Sequence, residues 1–335
     1  MKNNILFLSL FFLVCGCFFQ VPHLCAAGAG GNKFQLELYG GFSMLNPRDL
    51  NQQADYDTIN EEFYHEWKYI YYDLLLGDNF TYSSQVEGEL KRIKNALPWG
   101  LRLRYSLNPS LSFSIGFKYL SKRQDSQVAY QYEVRSLNPD DLFYYDEFSA
   151  ASESSPYSLS VKGFVPMVGI HYKIKGNRFL AFEGYLTIGP LLAECSHTRQ
   201  QRYYELNSYG YWYEQNVSYE IKGKGLGAAV DTGVRMNINV VKNIDLFIEC
   251  GYAILKAYNF SGPGSKETVF NDVNSSGFTE TTSWEGKWDI IHREFNSPWT
   301  QWNANFPSNE YGTDNTGFVL DLSGFQVRMG ISYKF

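Results

Sequence analysis

Three groups of side chains have types and spacing that could do chemistry. The first is charged: Glu37, Arg102, Arg104, Lys118, His171, Lys173, Glu183, Asp231, Arg235, Asp245, Glu249, Arg328 and Lys334 recur in stretches whose alternate residues are apolar. On extended strands these positions share one face, seven basic against five acidic with His171 set aside. Enclosed charges are tolerable only when paired or wet, so the set reads as an ion-pair network filling an interior. A narrow polar conduit or small-solute site is the competing reading. The second group is the histidines, since a hydrolase needs a nucleophile held by a base and its orienting partner. His65, His171, His197 and His292 lie outside the N-terminal segment. Ser196 and His197 are adjacent, so on a strand they point to opposite faces and cannot pair directly. Asp289 and His292 lie in a long connection where their spacing constrains little. No catalytic residue, metal site or cofactor is assigned. The third group is aromatic: Tyr209, Tyr211 and Trp212 lie in or beside a connection, Trp284, Trp288, Trp299 and Trp302 concentrate in the last one, and all seven read as contacts for an extracellular glycan or protein. The competing reading is that they pack together to order long loops.

The elements that would position these groups follow from period-two alternation. Phe325, Val327, Met329, Ile331, Tyr333 and Phe335 share one face, while Gln326, Arg328, Gly330, Ser332 and Lys334 share the other. The same test predicts eight strands, near residues 34–44, 97–107, 111–134, 157–174, 178–204, 211–240, 244–258 and 317–335. Asn108-Pro109-Ser110, Lys175-Gly176-Asn177 and Val241-Lys242-Asn243 are tight turns. The intervening links are longer, reaching from Leu45 to Ala96 and from Asn259 to Thr316. Asp57 to Leu76 in the first could form an amphipathic helix. Short turns on one side and long loops on the other match an antiparallel up-and-down barrel in an outer membrane. The apolar faces then meet lipid, and Trp99, Tyr105, Tyr119, Tyr172, Tyr252, Tyr333 and Phe335 form interfacial girdles. A soluble sandwich would instead bury those faces.

Composition limits the alternatives. Aromatic residues make up 17% of the 335, yet mean hydropathy is −0.31 and no apolar run beyond the N-terminus could span a bilayer as a helix. A net charge of −6 leaves no basic excess for nucleic acid. Residues 1–27 read as an export signal, with Lys2 before an apolar stretch and cleavage after Ala27 or Ala29; acylation at Cys17 is the alternative. Residues 28–335 then form one unit. Cys195 and Cys250 fall on non-neighbouring strands and read as unpaired small hydrophobes.

The export signal, the eight strands, the loop rhythm and the ending Tyr333-Lys334-Phe335 together resemble the small eight-stranded outer-membrane proteins of Gram-negative bacteria, of the OmpA-barrel, OmpX and OmpW kind. The resemblance covers nearly the whole mature chain and implies an all-β, eight-stranded antiparallel transmembrane barrel at the cell surface. It also implies that Tyr333 and Phe335 form a C-terminal signal for the barrel-assembly machinery. The expected function is a non-enzymatic, monomeric, structural and surface-interaction protein embedded in outer-membrane lipid. A narrow pore or small hydrophobic-solute transporter is the alternative.

Overall fold

The computed structural model describes residues 33–51, 80–136, 149–177, 179–207, 212–272, 277–287, 289–294, 300–305 and 316–335. The expected signal at 1–27 and helix at 57–76 lie outside them. The strands, in chain order, are β1 (Phe34–Met44), β2 (Phe80–Glu89), β3 (Asn95–Ala96), β4 (Trp99–Ser106), β5 (Leu111–Ser136), β6 (Ser149–Gly176), β7 (Leu180–Asn207), β8 (Trp212–Val241), β9 (Ile244–Asp272), β10 (Phe278–Lys287), β11 (Asp289–Glu294), β12 (Thr300–Asn305), β13 (Thr316–Gly317), β14 (Leu320–Asp321) and β15 (Gly324–Lys334). Eight of them form a closed antiparallel ring in the order β1, β4, β5, β6, β7, β8, β9, β15. Closure satisfies both backbone edges of every strand at that level. Two of the tight turns are set by asparagine. The Asn108 carboxamide oxygen accepts from the N–H groups of Ser110 and Leu111, and that of Asn177 from Phe179 and Leu180, all at 2.8–2.9 Å. The backbone of Phe335 donates to Phe34 at 3.0 Å, so the described chain ends meet on the turn side.

The ring is lopsided. β1, β4 and β15 are 11, 8 and 11 residues long, whereas β5 to β9 run for 26 to 30. At about 3.3 Å per residue, the five long strands rise well past the three short ones. Above the ring they form a wall, extended by β2 on the edge of β5 and by β10 on the edge of β9.

Alternation recovered the ring but ended some strands early. β9 continues to Asp272 rather than stopping at 258, because Asn259 adopts φ 54° and the pairing with β8 slips between Lys224 and Leu226. That bulge switches the inward face from odd residues (Leu255, Ala257) to even ones (Phe260, Gly264, Thr268), so a period-two reading loses phase there. The supposed loop from Asn259 to Thr316 therefore contains the top of β9, all of β10 and a small sheet of β11, β12 and β13. β6 begins at Ser149 rather than 157. Its Ser- and Ala-rich start has no amphipathic pattern, and pairing on both sides by β5 and β7 holds it extended. The last strand begins at Gly324, not 317, because Phe318, Leu320 and Leu322 turn inward and are buried.

The interior has two levels. Nearer the turns it is charged; nearer the wall it is apolar, built of Leu120, Val165, Met167, Leu191, Ala253, Leu255 and Phe260 from the long strands. Three connecting segments supply the rest: Leu45 and Leu50, Ile93 and Ala96, and Phe318, Leu320 and Leu322. Side-chain bonds lock these segments together. Asn51 donates to the Ile93 carbonyl and accepts from its N–H, both at 2.9 Å, and the Asp49 carboxylate accepts from Val319 N–H at 2.7 Å. We refer to this level as the plug.

Candidate functional site

Strand parity directs charges inward. Along β1, Glu37 and Tyr39 face the interior while Leu36 and Leu38 face out, and each neighbouring strand does the same in register. The Glu37 carboxylate, fully enclosed, accepts from Arg102 at 2.6 Å, Arg104 at 3.2 Å and Arg235 at 2.9 Å. Glu249 accepts from Arg102 and from Arg235 at 3.3 Å, and its second oxygen lies 3.0 Å from Arg328. Asp231 binds Lys118 at 3.0 Å and Arg328 at 2.6 Å, and Glu183 accepts from Arg104 at 2.9 Å. These residues come from β1, β4, β5, β7, β8, β9 and β15, so the pairs tie strands together across the interior as well as along the sheet.

Of the residues singled out by pattern, the structure brings Glu37, Arg102, Arg104, Lys118, Glu183, Asp231, Arg235, Glu249 and Arg328 into that one cluster. Asp245 and Lys334 form a separate pair at 2.6 Å near the turns. Lys173 is half-buried at the same rim and makes no ion pair among the described residues. His171 is buried and takes no part in the ion pairs; its Nε2 lies 3.0 Å from the Ser114 hydroxyl. Among the described residues this Ser–His contact has no carboxylate orienting the ring, because Nδ1 finds no hydrogen-bond partner there. Both side chains are enclosed, so the pair offers no route to an attacking hydroxyl. Ser196 and His197 do point opposite ways. Ser196 lines an outer cleft, while the His197 ring is buried with centroids 4.7 Å from Tyr157 and 5.5 Å from Tyr219. Among the described residues, no cluster of His, Cys, Asp or Glu could hold a metal. Cys195 is buried and Cys250 half-buried, both unlinked.

Three participants were missed: Tyr39, Tyr185 and Phe247, whose rings lie among the guanidinium groups. Arg235 sits 3.7 Å from the Phe247 centroid, Arg102 and Arg328 each 5.3 Å from that of Tyr39, and Arg328 5.3 Å from that of Tyr185. The Tyr185 hydroxyl accepts from Arg328 at 2.9 Å and donates to Asp231 at 3.3 Å. The signal that could have found them is glycine one or two strands across from each ring. A Cβ at Gly100 would fall 2.4 Å from the Tyr39 hydroxyl, one at Gly251 2.4 Å from that of Tyr185, and one at Gly330 2.5 Å from the Phe247 ring. Replacing Gly251 by alanine, whose Cβ would also fall 2.3 Å from the Thr232 carbonyl oxygen, is therefore expected to strain the β8–β9 pairing and displace Tyr185 from Asp231 and Arg328, at about 3 kcal/mol. Gly40→Ala, whose Cβ would meet nothing nearer than 3.7 Å, is expected to be close to neutral. Melting curves of the two refolded variants check this, and equal midpoints would contradict it.

The aromatic candidates are scattered. Tyr209, Tyr211, Trp288 and Trp299 lie outside the described residues. The other three sit on strands rather than in loops: Trp212 opens β8 opposite Leu206, Trp284 lies on β10 opposite Gly264, and Trp302 lies on β12 opposite His292. Trp212 falls within the strand expected at 211–240, whereas Trp284 and Trp302 were read as loop residues because the bulge at Asn259 hides the continuing sheet.

No family model matches the chain, and no curated protein matches it. Among solved structures it is similar to CarO of Acinetobacter baumannii, with TM-score 0.27 and 12% identity over 71% of this chain and 92% of that one. It is also similar to the outer membrane protease OmpT of Escherichia coli, with TM-score 0.25 and 8% identity over 92% and 99%. A deletion mutant of the monoaromatic hydrocarbon channel TodX gives TM-score 0.19 and 7% identity over 92% and 91%. Scores this low carry no argument for this chain, whose reading rests on its own geometry.

Proposed function

We propose that the chain is an outer-membrane β-barrel protein of a Gram-negative bacterium, non-conducting and non-enzymatic, whose ring anchors a raised β-wall that binds ligands or other cells. The observation that carries this is inverted polarity. Large apolar side chains such as Leu38, Phe113, Val168, Val234, Met329 and Ile331 are at least half exposed around the ring, while Glu37, Arg102, Arg235, Glu249 and Arg328 are enclosed. Water would penalise such a belt, and a bilayer favours it. Aromatics gather at its two margins. Phe34, Tyr105, Tyr333 and Phe335 pack together near the turns, and Trp99 packs with Phe117 and Tyr119 at the opposite margin. The signal at 1–27, recognition of Tyr333 and Phe335 by the assembly machinery, and a monomeric state belong to the same reading.

The ionic level and the plug support a sealed interior. The pore alternative draws on a vestibule of about 460 Å³ at the turn side, lined by Lys33, Arg104, Lys173, Glu183, Asp245 and Lys334, which ends beneath the ionic level. Planar-bilayer recording separates the two: the proposal expects no conductance steps, and reproducible steps would favour the pore. For the wall, exchanging Gly264 to Asn315 for a short linker removes the top of β9 together with β10, β11 and β12 and leaves the ring-level part of all eight strands. Glycan and host-protein arrays are expected to lose signal with that chain, and unchanged binding would remove the adhesive role from this part.

A further inference from the structure

On each of four consecutive long strands, the outward face changes abruptly where the apolar belt ends. The last belt residues are Phe164 on β6, Leu192 on β7, Leu226 on β8 and Tyr258 on β9. The next outward residues are Lys162, Glu194, Lys224 and, past the bulge, Ser261. Ser261 pairs with Lys287 on β10, so the row reads Lys162, Glu194, Lys224, Ser261, Lys287 across five hydrogen-bonded strands. One step higher, Lys222 joins Ser160 and Ser196. All four lysines line one cleft of about 730 Å³ on the outer surface of the wall. Carboxylates temper the charge: Lys224 lies 3.0 Å from Glu194, and Lys222 pairs with Glu220. Glu285 also lines the cleft. Ammonium groups stationed immediately beyond a lipid belt sit at head-group depth, where anionic lipid is the complementary partner.

We propose that this cleft, with Lys162, Lys224 and Lys287 as its floor and Lys222 above, docks the phosphate-bearing head group of a lipid in the outer leaflet. The site rests on the outer-membrane reading, because only a bilayer matched to the belt brings head groups to this height. Lys224 is held in place by Glu194 and presents its remaining donors to the cleft. Ser160, Ser196 and Ser261 add hydroxyl groups suited to phosphate or sugar oxygens.

The test uses the full-length protein reconstituted into phosphatidylcholine vesicles that are plain, doped with bis-phosphorylated lipid A, or doped with its dephosphorylated form, with free inorganic phosphate as competitor. Capture of labelled lipid by the protein is the readout. Wild type is expected to retain the phosphorylated form selectively, with free phosphate competing only weakly. The Lys162→Gln/Lys224→Gln/Lys287→Gln chain is expected to lose about ten- to a hundredfold in retention. The corresponding triple arginine chain should keep it, and Lys175→Gln/Lys242→Gln at the opposite rim should change nothing. Equal retention by the glutamine triple, or equal retention of both lipid forms by wild type, overturns the head-group site while leaving the barrel standing. Failure of the wild type to insert into any vesicle overturns the barrel reading and this site with it.

Discussion

Replacing Glu37 with glutamine is expected to destabilise the ring by about 3–5 kcal/mol, the cost of leaving buried charges without their counter-ion. The carboxylate is fully enclosed and is shared by Arg102, Arg104 and Arg235, so the substitution strands cationic charge on two strands at once. Glutamine keeps the shape and one acceptor oxygen but sets an N–H donor against guanidinium donors, so the loss combines charge with hydrogen bonding. Glu183→Gln serves as the contrast. It accepts from Arg104 at 2.9 Å, reaches Arg235 only at 3.9 Å and keeps some contact with solvent, so a smaller loss of about 1–2 kcal/mol is expected. A double replacement, Glu37→Gln with Arg102→Gln, should be less than additive, because the second change removes part of the charge that the first uncovers. Urea unfolding followed by the shift between folded and unfolded gel mobility measures all three. Equal losses for Glu37→Gln and Glu183→Gln would show that enclosure, and with it the sharing of Glu37, contributes nothing.

That network was legible because charge is rare on these strands and parity is strict. Once Leu36 and Leu38 are assigned outward, Glu37 has one direction left, and Arg102 follows from its pairing opposite Glu37. Tyr39, Tyr185 and Phe247 share the parity of Glu37, Glu183 and Glu249, yet were passed over because aromatic residues suit a lipid-facing position equally well; the glycines beside their rings mark them as enclosed. The plug was hidden for a related reason. Runs such as Phe164-Val165-Pro166-Met167-Val168 and Tyr252-Ala253-Ile254-Leu255 are apolar on both faces, which marks a strand covered on both sides. Nothing in those runs says whether the inner cover is another strand or a returning loop. It is the loop, and Phe318, Leu320 and Leu322 were accordingly read as the start of the last strand. The top of β9, and with it β10, was lost at a single residue, Asn259, because a bulge preserves pairing while breaking period.

The two interior levels are different kinds of seal, and removing the upper one should weaken the molecule without opening it. Phe260 is fully buried, meets Phe318 edge-on at 5.1 Å and occupies the space left by Gly225, where a Cβ would fall 2.4 Å from its ring. Phe260→Ala is expected to cost about 3–5 kcal/mol through lost transfer energy and the cavity it leaves. The paired change with Phe318→Ala should cost less than two separate losses, since the rings bury each other. Neither chain is expected to conduct, because the ion pairs of Glu37, Asp231 and Glu249 still cross the interior beneath the gap. By the same logic Glu37→Gln alone stays silent under an intact plug. Barriers in series each suffice to stop an ion, so steps are expected in planar bilayers only from a chain carrying Glu37→Gln together with both phenylalanine changes. Conductance from a single-level variant would mean that the levels support each other and that a loss at one propagates to the next. Silence from the combined chain would place the seal in the packing of Leu120, Leu191 and Leu255, which no variant here removes.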